Sequence, residues 1–159
     1  MKTYLDFAST TPMALEVIEQ MNAVMSEASY GNPSSLDHQF GLSANKIVEE
    51  SREVIASLIN ANSDEILWTS GATESNNMAI VGFHQFQYKG QSMRFLTSHL
   101  EHKSVIESML SLENLGSNVC FIRPNGHGRI DFETFANQME KDIVYVSCMH
   151  VNYFYLVPL

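Results

Sequence analysis

The stretch that decides the fold reads Leu67-Trp-Thr-Ser-Gly-Ala-Thr-Glu-Ser-Asn-Asn77. The short apolar run at residues 65–69 predicts a buried strand, residues 70–73 a tight turn, and residues 73–87 a helix. A strand that passes through a glycine turn into a helix is typical of open α/β sheets. Such sheets bind ligands at the carboxyl ends of their strands.

The same alternation of elements continues on both sides of this stretch. It predicts an α/β fold: a mostly parallel sheet with flanking helices, preceded by N-terminal helices that have no strand between them. We therefore expect an N-terminal helical segment at 1–62, a partial α/β domain at 63–152 and an apolar tail at 153–159. Apolar spacing places helices at 13–28, 39–60, 104–115 and from Asp131 to Met139, and strands at 94–98, 118–122 and 142–147.

Three local signals predict where helices begin and end. Thr11 before Pro12 is typical of a helix start, with the threonine as the N-cap. Ser104 followed by Glu107 fits a capping box for the helix at 104–115. Gly116 is typical of a helix terminator.

Composition and charge exclude several classes of partner. The 159 residues include 9 basic and 18 acidic side chains, which gives a net charge of −9. Nucleic acids and anionic membranes need clustered lysine and arginine, so neither is expected as a partner. No run approaches the roughly 20 apolar residues of a membrane helix. With two cysteines and no signal-peptide pattern, the sequence predicts a soluble cytoplasmic protein.

The glycine turn at Gly71 has two interpretations that the spacing leaves open. A helix start presents unpaired N–H groups and a partial positive charge, which suits a phosphate. Gly71 allows close approach of the backbone, Ala72 adds no bulk and Thr73 adds a hydroxyl donor. An ordinary capped strand-to-helix turn would have the same composition.

A second polar turn, Thr97-Ser-His-Leu-Glu-His-Lys-Ser104, also follows a predicted strand and opens a helix. The spacing of His99 and His102 is compatible with a metal, but a zinc site needs a third ligand. We therefore expect exposed loop histidines and no metal. Cys120 and Cys148 fall in or next to strands, where thiols are usually inert packing residues.

The motifs along the chain together resemble those of the cysteine desulfurases, enzymes of the class V aminotransferase group that use pyridoxal 5′-phosphate (PLP) and have fold type I. The resemblance covers residues 4–152. Its motifs are Tyr4-Leu-Asp-Phe-Ala-Ser-Thr-Thr-Pro12, Gly31-Asn-Pro-Ser-Ser35, Thr69-Ser-Gly-Ala-Thr-Glu-Ser-Asn-Asn77, Glu101-His-Lys103, Asn125-Gly126 before Ile130-Asp131, and Val146-Ser-Cys-Met-His-Val-Asn152.

The resemblance implies a fold, a cofactor and a reaction. The fold is the large domain of a PLP-dependent transferase. The backbone at Ala72 and Thr73, with the Thr73 hydroxyl, would hold the PLP phosphate. His102 would stack on the pyridine ring and assist proton transfer, so it is the expected catalytic residue. The parent reaction removes sulfur from L-cysteine, giving alanine and a persulfide for iron–sulfur cluster or thio-cofactor assembly. A different class V aminotransferase or a selenocysteine lyase is the alternative.

Departures from the family pattern imply a chain that is inactive alone. The family's Schiff-base lysine and sulfur-accepting cysteine have no counterpart in this sequence, and Tyr153 stands where the family has a second asparagine. We therefore expect an N-terminal fragment, arising from a frameshift, a premature stop or deliberate truncation. Its predicted strand at 65–69 would lack neighbouring strands. A homo-oligomer, or a non-catalytic interaction module that docks onto a full-length desulfurase, would follow.

Overall fold

A computed structural model describes the backbone of most of the chain. It comprises two compact units, Met1–Trp68 and Thr69–Leu159. The predicted segments 1–62, 63–152 and 153–159 stay predictions about domain organisation. The residues that the structure describes are 3–26, 30–88, 91–139, 142–152 and 157–158.

The first unit contains two helices, α1 (Leu15–Val24) and α2 (Gln39–Leu58). The predicted N-cap at Thr11 is wrong, because α1 begins at Leu15 after Ala14, which makes no side-chain cap. Residues 6–10 instead form a turn of their own, in which the amides of Ser9 and Thr10 donate to the carbonyl of Asp6. Residue 28, the predicted end of this helix, lies outside the described residues.

The predicted strand at residues 65–69 is also wrong. A 3₁₀ turn, Ser63–Glu65, passes into extended backbone at Ile66 that joins no sheet in the described part of the chain. Leu67 and Trp68 are 66% and 51% exposed. A strand needs a neighbouring backbone to satisfy its N–H and C=O groups, and here the Ile66 carbonyl accepts from Arg52 on α2 instead.

The second unit confirms the predicted α/β fold with a parallel sheet and flanking helices. It has a helical run of α3 (Ala72–Asn77), a π-helical turn (Met78–Gly82) and α4 (Phe83–Tyr88). The elements that follow are β1 (Arg94–Ser98), α5 (Lys103–Asn114), β2 (Asn118–Ile122), α6 (Phe132–Met139) and β3 (Ile143–Val146). The three strands form a sheet of order β2-β1-β3, and both pairings are parallel.

The core of this unit lies between the sheet and the helices α3 to α5. Phe95 on the central strand is fully buried, and Met109 and Leu112 of α5 pack in the same cluster. Burial of each such side chain contributes about 1.5–3 kcal/mol. The central strand is therefore the most firmly held element of the unit, and its carboxyl end leads directly to residues 99–102.

Helix α5 ends as predicted but does not begin as predicted. Gly116 has a φ of +86°, and the amides of Gly116 and Ser117 donate to Glu113 and Leu112, which is a Schellman termination. The predicted capping box at Ser104 is wrong, because the helix begins one residue earlier with His102 as its N-cap.

The chain beyond β3 forms a short antiparallel pair of β4 (Val151–Asn152) and β5 (Val157–Pro158). The predicted cap of α6 is confirmed, since Asp131 Oδ2 accepts from both the amide and the hydroxyl of Thr134. In the described residues, the helices are all too short or too polar to span a bilayer.

Candidate functional site

The glycine turn that opens α3 has a backbone that favours glycine. Gly71 is the N-cap residue, with φ 157° and ψ −179°, a region that only glycine populates without strain. A Cβ at this position would meet no atom within 4 Å. The amides of Ala72 and Thr73 occupy the first two helical positions, where N–H groups have no acceptor within the helix. The turn therefore has two backbone donors without an acceptor in the helix, next to a glycine whose surroundings are open.

Glu74 and Thr69 fix this turn by local contacts. The Glu74 carboxylate accepts from the amide of Ser70 at 2.6 Å and from its hydroxyl at 2.7 Å. Both hydrogen bonds lower the pKa of Glu74, and the one from the Ser70 amide has the larger effect. The hydroxyls of Thr69 and Ser75 lie 2.7 Å apart. In this geometry the Glu74 carboxylate accepts from Ser70, and no described hydrogen bond joins it to the amide of Ala72 or of Thr73.

The second predicted turn carries His102, which is exposed at the start of α5. Its Nδ1 accepts from the amide of Ser104 at 3.2 Å and lies 2.8 Å from the Ser104 hydroxyl. Both contacts are on one edge of the ring. Among the described residues, no hydrogen bond or ring contact involves the ring faces or the Nε2 edge of this exposed side chain, so they are open to another partner.

Asn76 connects the two turns. Its Nδ2 donates to the Ser104 hydroxyl at 2.7 Å, so α3 and the start of α5 are joined by side chains. The structure thus places the helix that begins with Ala72 and Thr73 beside the residue that holds His102. The sequence gives no local sign of either linking role, because Asn76 is one of several polar residues in its motif and Ser104 has the pattern of a capping box.

The loop of His102 is also tied to the loop that follows β3. The Glu101 carboxylate accepts from the amide of Met149, and the buried Asn152 donates from Nδ2 to the carbonyl of Leu100 at 3.0 Å. Burial raises the pKa of Glu101, and its hydrogen bonds from Met149 and Ser98 oppose that rise. These contacts join the carboxyl ends of two neighbouring parallel strands.

Within the described residues, His99 and Cys148 make no hydrogen bond to His102 or to the glycine turn at residues 69–73. His99 lies against Phe121, with ring centroids 5.3 Å apart. In the ranges that the structure describes, no group of three His, Cys, Asp or Glu side chains could hold a metal ion. Cys148 is exposed, so the expectation of a packing thiol is wrong at this position. Partial burial of its sulfur and, as a smaller cause, the charge of Glu101 raise the pKa of the thiol. A thiol with a raised pKa is a poor nucleophile.

Comparison with known proteins identifies the family. The model of the class-V aminotransferases matches residues 3–154, and the chain belongs to this family. Within it, the chain is similar to cysteine desulfurase IscS of Buchnera aphidicola subsp. Baizongia pistaciae (strain Bp), with 43% identity over 94% of this chain and 37% of that protein. IscS of Pseudoalteromonas translucida (strain TAC 125) gives the same three values.

Solved structures agree with this assignment. A NifS-like protein superposes with a TM-score of 0.84 at 32% identity, over 96% of this chain and 41% of that one. SspA in complex with cysteine gives 0.82 at 32% identity, over 95% and 43%. The chain therefore spans about two fifths of the length of the relatives it matches.

The residues of the two turns fit the cofactor on which members of this family depend, PLP. Its phosphate needs backbone donors that can be approached closely, which the open turn at Gly71 provides. Its aromatic ring needs a flat partner, and the exposed imidazole of His102 offers one.

Proposed function

We propose that the turn at residues 69–73 and the side chain of His102 form a PLP-binding site. The amides of Ala72 and Thr73 and the Thr73 hydroxyl bind the phosphate, and His102 stacks on the ring. The observation that carries this proposal is the Asn76–Ser104 hydrogen bond of 2.7 Å, because it joins the phosphate-binding helix to the histidine.

We propose that the parent activity is that of a cysteine desulfurase, which removes sulfur from L-cysteine and gives alanine and a persulfide for iron–sulfur cluster or thio-cofactor assembly. The similarity to IscS and to a protein determined with cysteine supports this substrate. PLP supplies an electron sink for such chemistry. The residues of this chain bind the phosphate, orient the ring and place an imidazole against it.

The 159-residue chain is proposed to bind PLP reversibly and to be inactive alone. The lysine that binds the cofactor covalently has a Ser-x-His context in the family, and none of the five lysines in this sequence has that context. We therefore expect that a visible PLP absorbance band does not survive desalting. Alanine and sulfide released from cysteine by the purified chain would contradict inactivity.

A substitution at Thr73 tests the phosphate site. Thr73→Ala removes the hydroxyl donor to a charged group, and the dissociation constant for PLP should rise about 10- to 100-fold. Ser111→Ala, which removes an exposed hydroxyl on α5, is the matched control. Absorbance and fluorescence titrations measure both. Equal affinities for the Thr73 variant and the parent chain would overturn the assignment of this turn.

A second proposal concerns self-association or docking onto a longer homologue. It is supported by α1, which buries none of its residues in the described structure and exposes Leu15 by 73%. Large exposed apolar patches mark interaction sites. Light scattering and capture of a full-length desulfurase should show association that Leu15→Lys weakens. Leu67→Lys, at a similarly exposed position outside the helix, is the control; equal association of all three would contradict this proposal.

A further inference from the structure

The hydrogen bonds around His102 determine which ring nitrogen carries its hydrogen. Nδ1 accepts from the Ser104 amide at 3.2 Å. A backbone N–H can only donate, so Nδ1 presents its lone pair, and the neutral ring carries its hydrogen on Nε2.

The Ser104 hydroxyl has one orientation that makes all of its contacts attractive. Its oxygen accepts from Asn76 Nδ2 at 2.7 Å and lies 2.8 Å from His102 Nδ1. Because the asparagine NH₂ group only donates, the hydroxyl hydrogen points to Nδ1. The reverse orientation of Asn76 would turn the hydroxyl lone pairs toward the lone pair of Nδ1. Donation therefore runs from Asn76 to Ser104 to His102.

We propose that Asn76 and Ser104 are positioning residues, which hold the His102 ring in the Nε2–H tautomer and fix it relative to the helix of the phosphate-binding turn. This proposal rests on the proposed function, in which the His102 ring faces the PLP ring. In this tautomer, Nε2 offers a hydrogen-bond donor to a bound group, and the single lone pair of Nδ1 is shared by the amide and the hydroxyl of Ser104. Binding at the phosphate turn and orientation of the ring are thus mechanically connected.

The other histidine N-cap in the chain shows that capping alone does not require this arrangement. His38 caps α2 by accepting from the Gly41 amide at 3.1 Å. Its second described polar neighbour is the Asp37 carboxylate, 3.9 Å from Nε2, and not a hydroxyl at Nδ1. The buried Ser104 hydroxyl and Asn76 are therefore additions to the cap at His102.

The donation from Asn76 through Ser104 to His102 is called the relay below. Nitrogen-15 NMR of the full chain without cofactor tests this relay directly. Long-range proton–nitrogen correlations report the tautomer of each histidine, at a pH well above the ordinary histidine pKa of about 6.5. We expect the Nε2–H form for His102. Ser104→Ala removes one of the two donors and should lower the ratio of Nε2–H to Nδ1–H about threefold to tenfold. Ser104→Thr, which keeps the hydroxyl, should restore it.

Asn76→Asp provides the sharpest arm of the experiment. A carboxylate at position 76 accepts the Ser104 hydrogen and withdraws it from Nδ1, so the tautomer ratio should fall at least as far as in Ser104→Ala. His38 in the same spectra is the internal control, and Ser111→Ala is the control variant. A dominant Nδ1–H form in the parent chain, or unchanged His102 nitrogen shifts in both Ser104→Ala and Asn76→Asp, would overturn the relay.

A second readout separates failure of the relay from failure of the proposed function. Circular dichroism induced in PLP on binding depends on how the ring is held, and it should weaken in Ser104→Ala and recover in Ser104→Thr. If the parent chain induces no signal in PLP, the proposed cofactor site fails, while the tautomer spectra still decide the relay. If PLP binds but the tautomer does not respond to either variant, the relay alone fails.

Discussion

The two turns that form the candidate site are held in different ways. The turn at residues 69–73 is fixed by contacts within six residues, through Glu74 to Ser70 and Thr69 to Ser75, and its described side chains are exposed or half-buried. The turn at residues 98–103 follows a buried strand and is tied to positions 48 and 52 residues further along the chain.

This difference assigns a physical role to each turn. The residues of the first turn make local contacts, and the long-range contact of this region begins only at Asn76 on the following helix. Such a turn can adjust when an anion binds its amides, and part of its order can come from the ligand. A turn held by the core presents its side chain in one geometry before any ligand arrives, which lowers the cost of binding. The phosphate side is thus adaptable, and the ring side is preorganised.

The largest expected effect comes from the core beneath the second turn. Phe95→Ala should lower the free energy of unfolding by about 3–5 kcal/mol, because it removes a fully buried ring from the central strand. Leu67→Ala, at a side chain that is 66% exposed, should change it by less than about 0.5 kcal/mol. Chemical denaturation compares the two. Similar losses of unfolding free energy in the two variants would contradict the contrast between the buried strand β1 and the exposed segment around Leu67.

An intermediate effect is expected for the tie between the strand-end loops. Asn152→Ala should cost about 1–3 kcal/mol of unfolding free energy, because the buried amide that donates to Leu100 is lost. Asn77→Ala removes an exposed asparagine that donates to the Thr73 carbonyl in the first turn. It should lower the free energy of unfolding by less than about 0.5 kcal/mol. The same denaturation experiment measures both. A larger loss for Asn77→Ala would reverse the comparison.

The smallest expected effect is a pH dependence at Glu101. Its folded-state pKa is raised by burial, so the folded protein holds this proton more tightly than the unfolded chain does. The contribution of Glu101 to the free energy of unfolding therefore falls as pH rises from about 4.3, the ordinary pKa of a glutamate, through the raised pKa of the folded protein. Glu101→Gln keeps an acceptor for Met149 and removes the charge. The stability of the parent chain relative to this variant should decline over that window, by less than about 1 kcal/mol because the group is half exposed.

The free energy of unfolding, measured for both chains at a series of pH values, tests whether the contribution of Glu101 falls or rises with pH. Glu74 provides the opposite case, because hydrogen bonds from Ser70 lower its pKa and its contribution is lost as pH falls through that lowered value. A relative stability of the parent chain that rises with pH would show that Glu101 is stabilised as an anion, contrary to this account.

The sequence alone predicts most of the second unit. Alternating apolar runs and helical spacing locate β1, β2, β3 and their helices, because each element is patterned by the core it faces. The sequence also places Thr73 at the start of a helix, where the structure has it, but it leaves Ala72 in the preceding turn and His102 in the loop before α5. In the structure Ala72 is the first residue of α3 and His102 is the N-cap of α5. Their role in binding a cofactor stays a prediction.

The sequence-based predictions that the structure contradicts failed for physical reasons. Residues 65–69 are apolar like a strand, but a strand is a property of a pair, and pairing depends on residues far away in sequence. The cap of α5 was assigned to Ser104 because serine is a common N-cap and histidine is not. The Asn76–Ser104 contact joins residues 28 positions apart, and no local pattern encodes it.

The central claim is that the two turns bind one ligand together. An NMR titration of the full chain with PLP tests it most directly, by following the amides of Ala72 and Thr73 and the ring of His102 in the same samples. The account predicts that all three respond to PLP with the same concentration dependence, and that inorganic phosphate shifts the two amides but shifts the ring of His102 much less than PLP does. A response of one turn without the other, or identical responses to PLP and phosphate at His102, would contradict it.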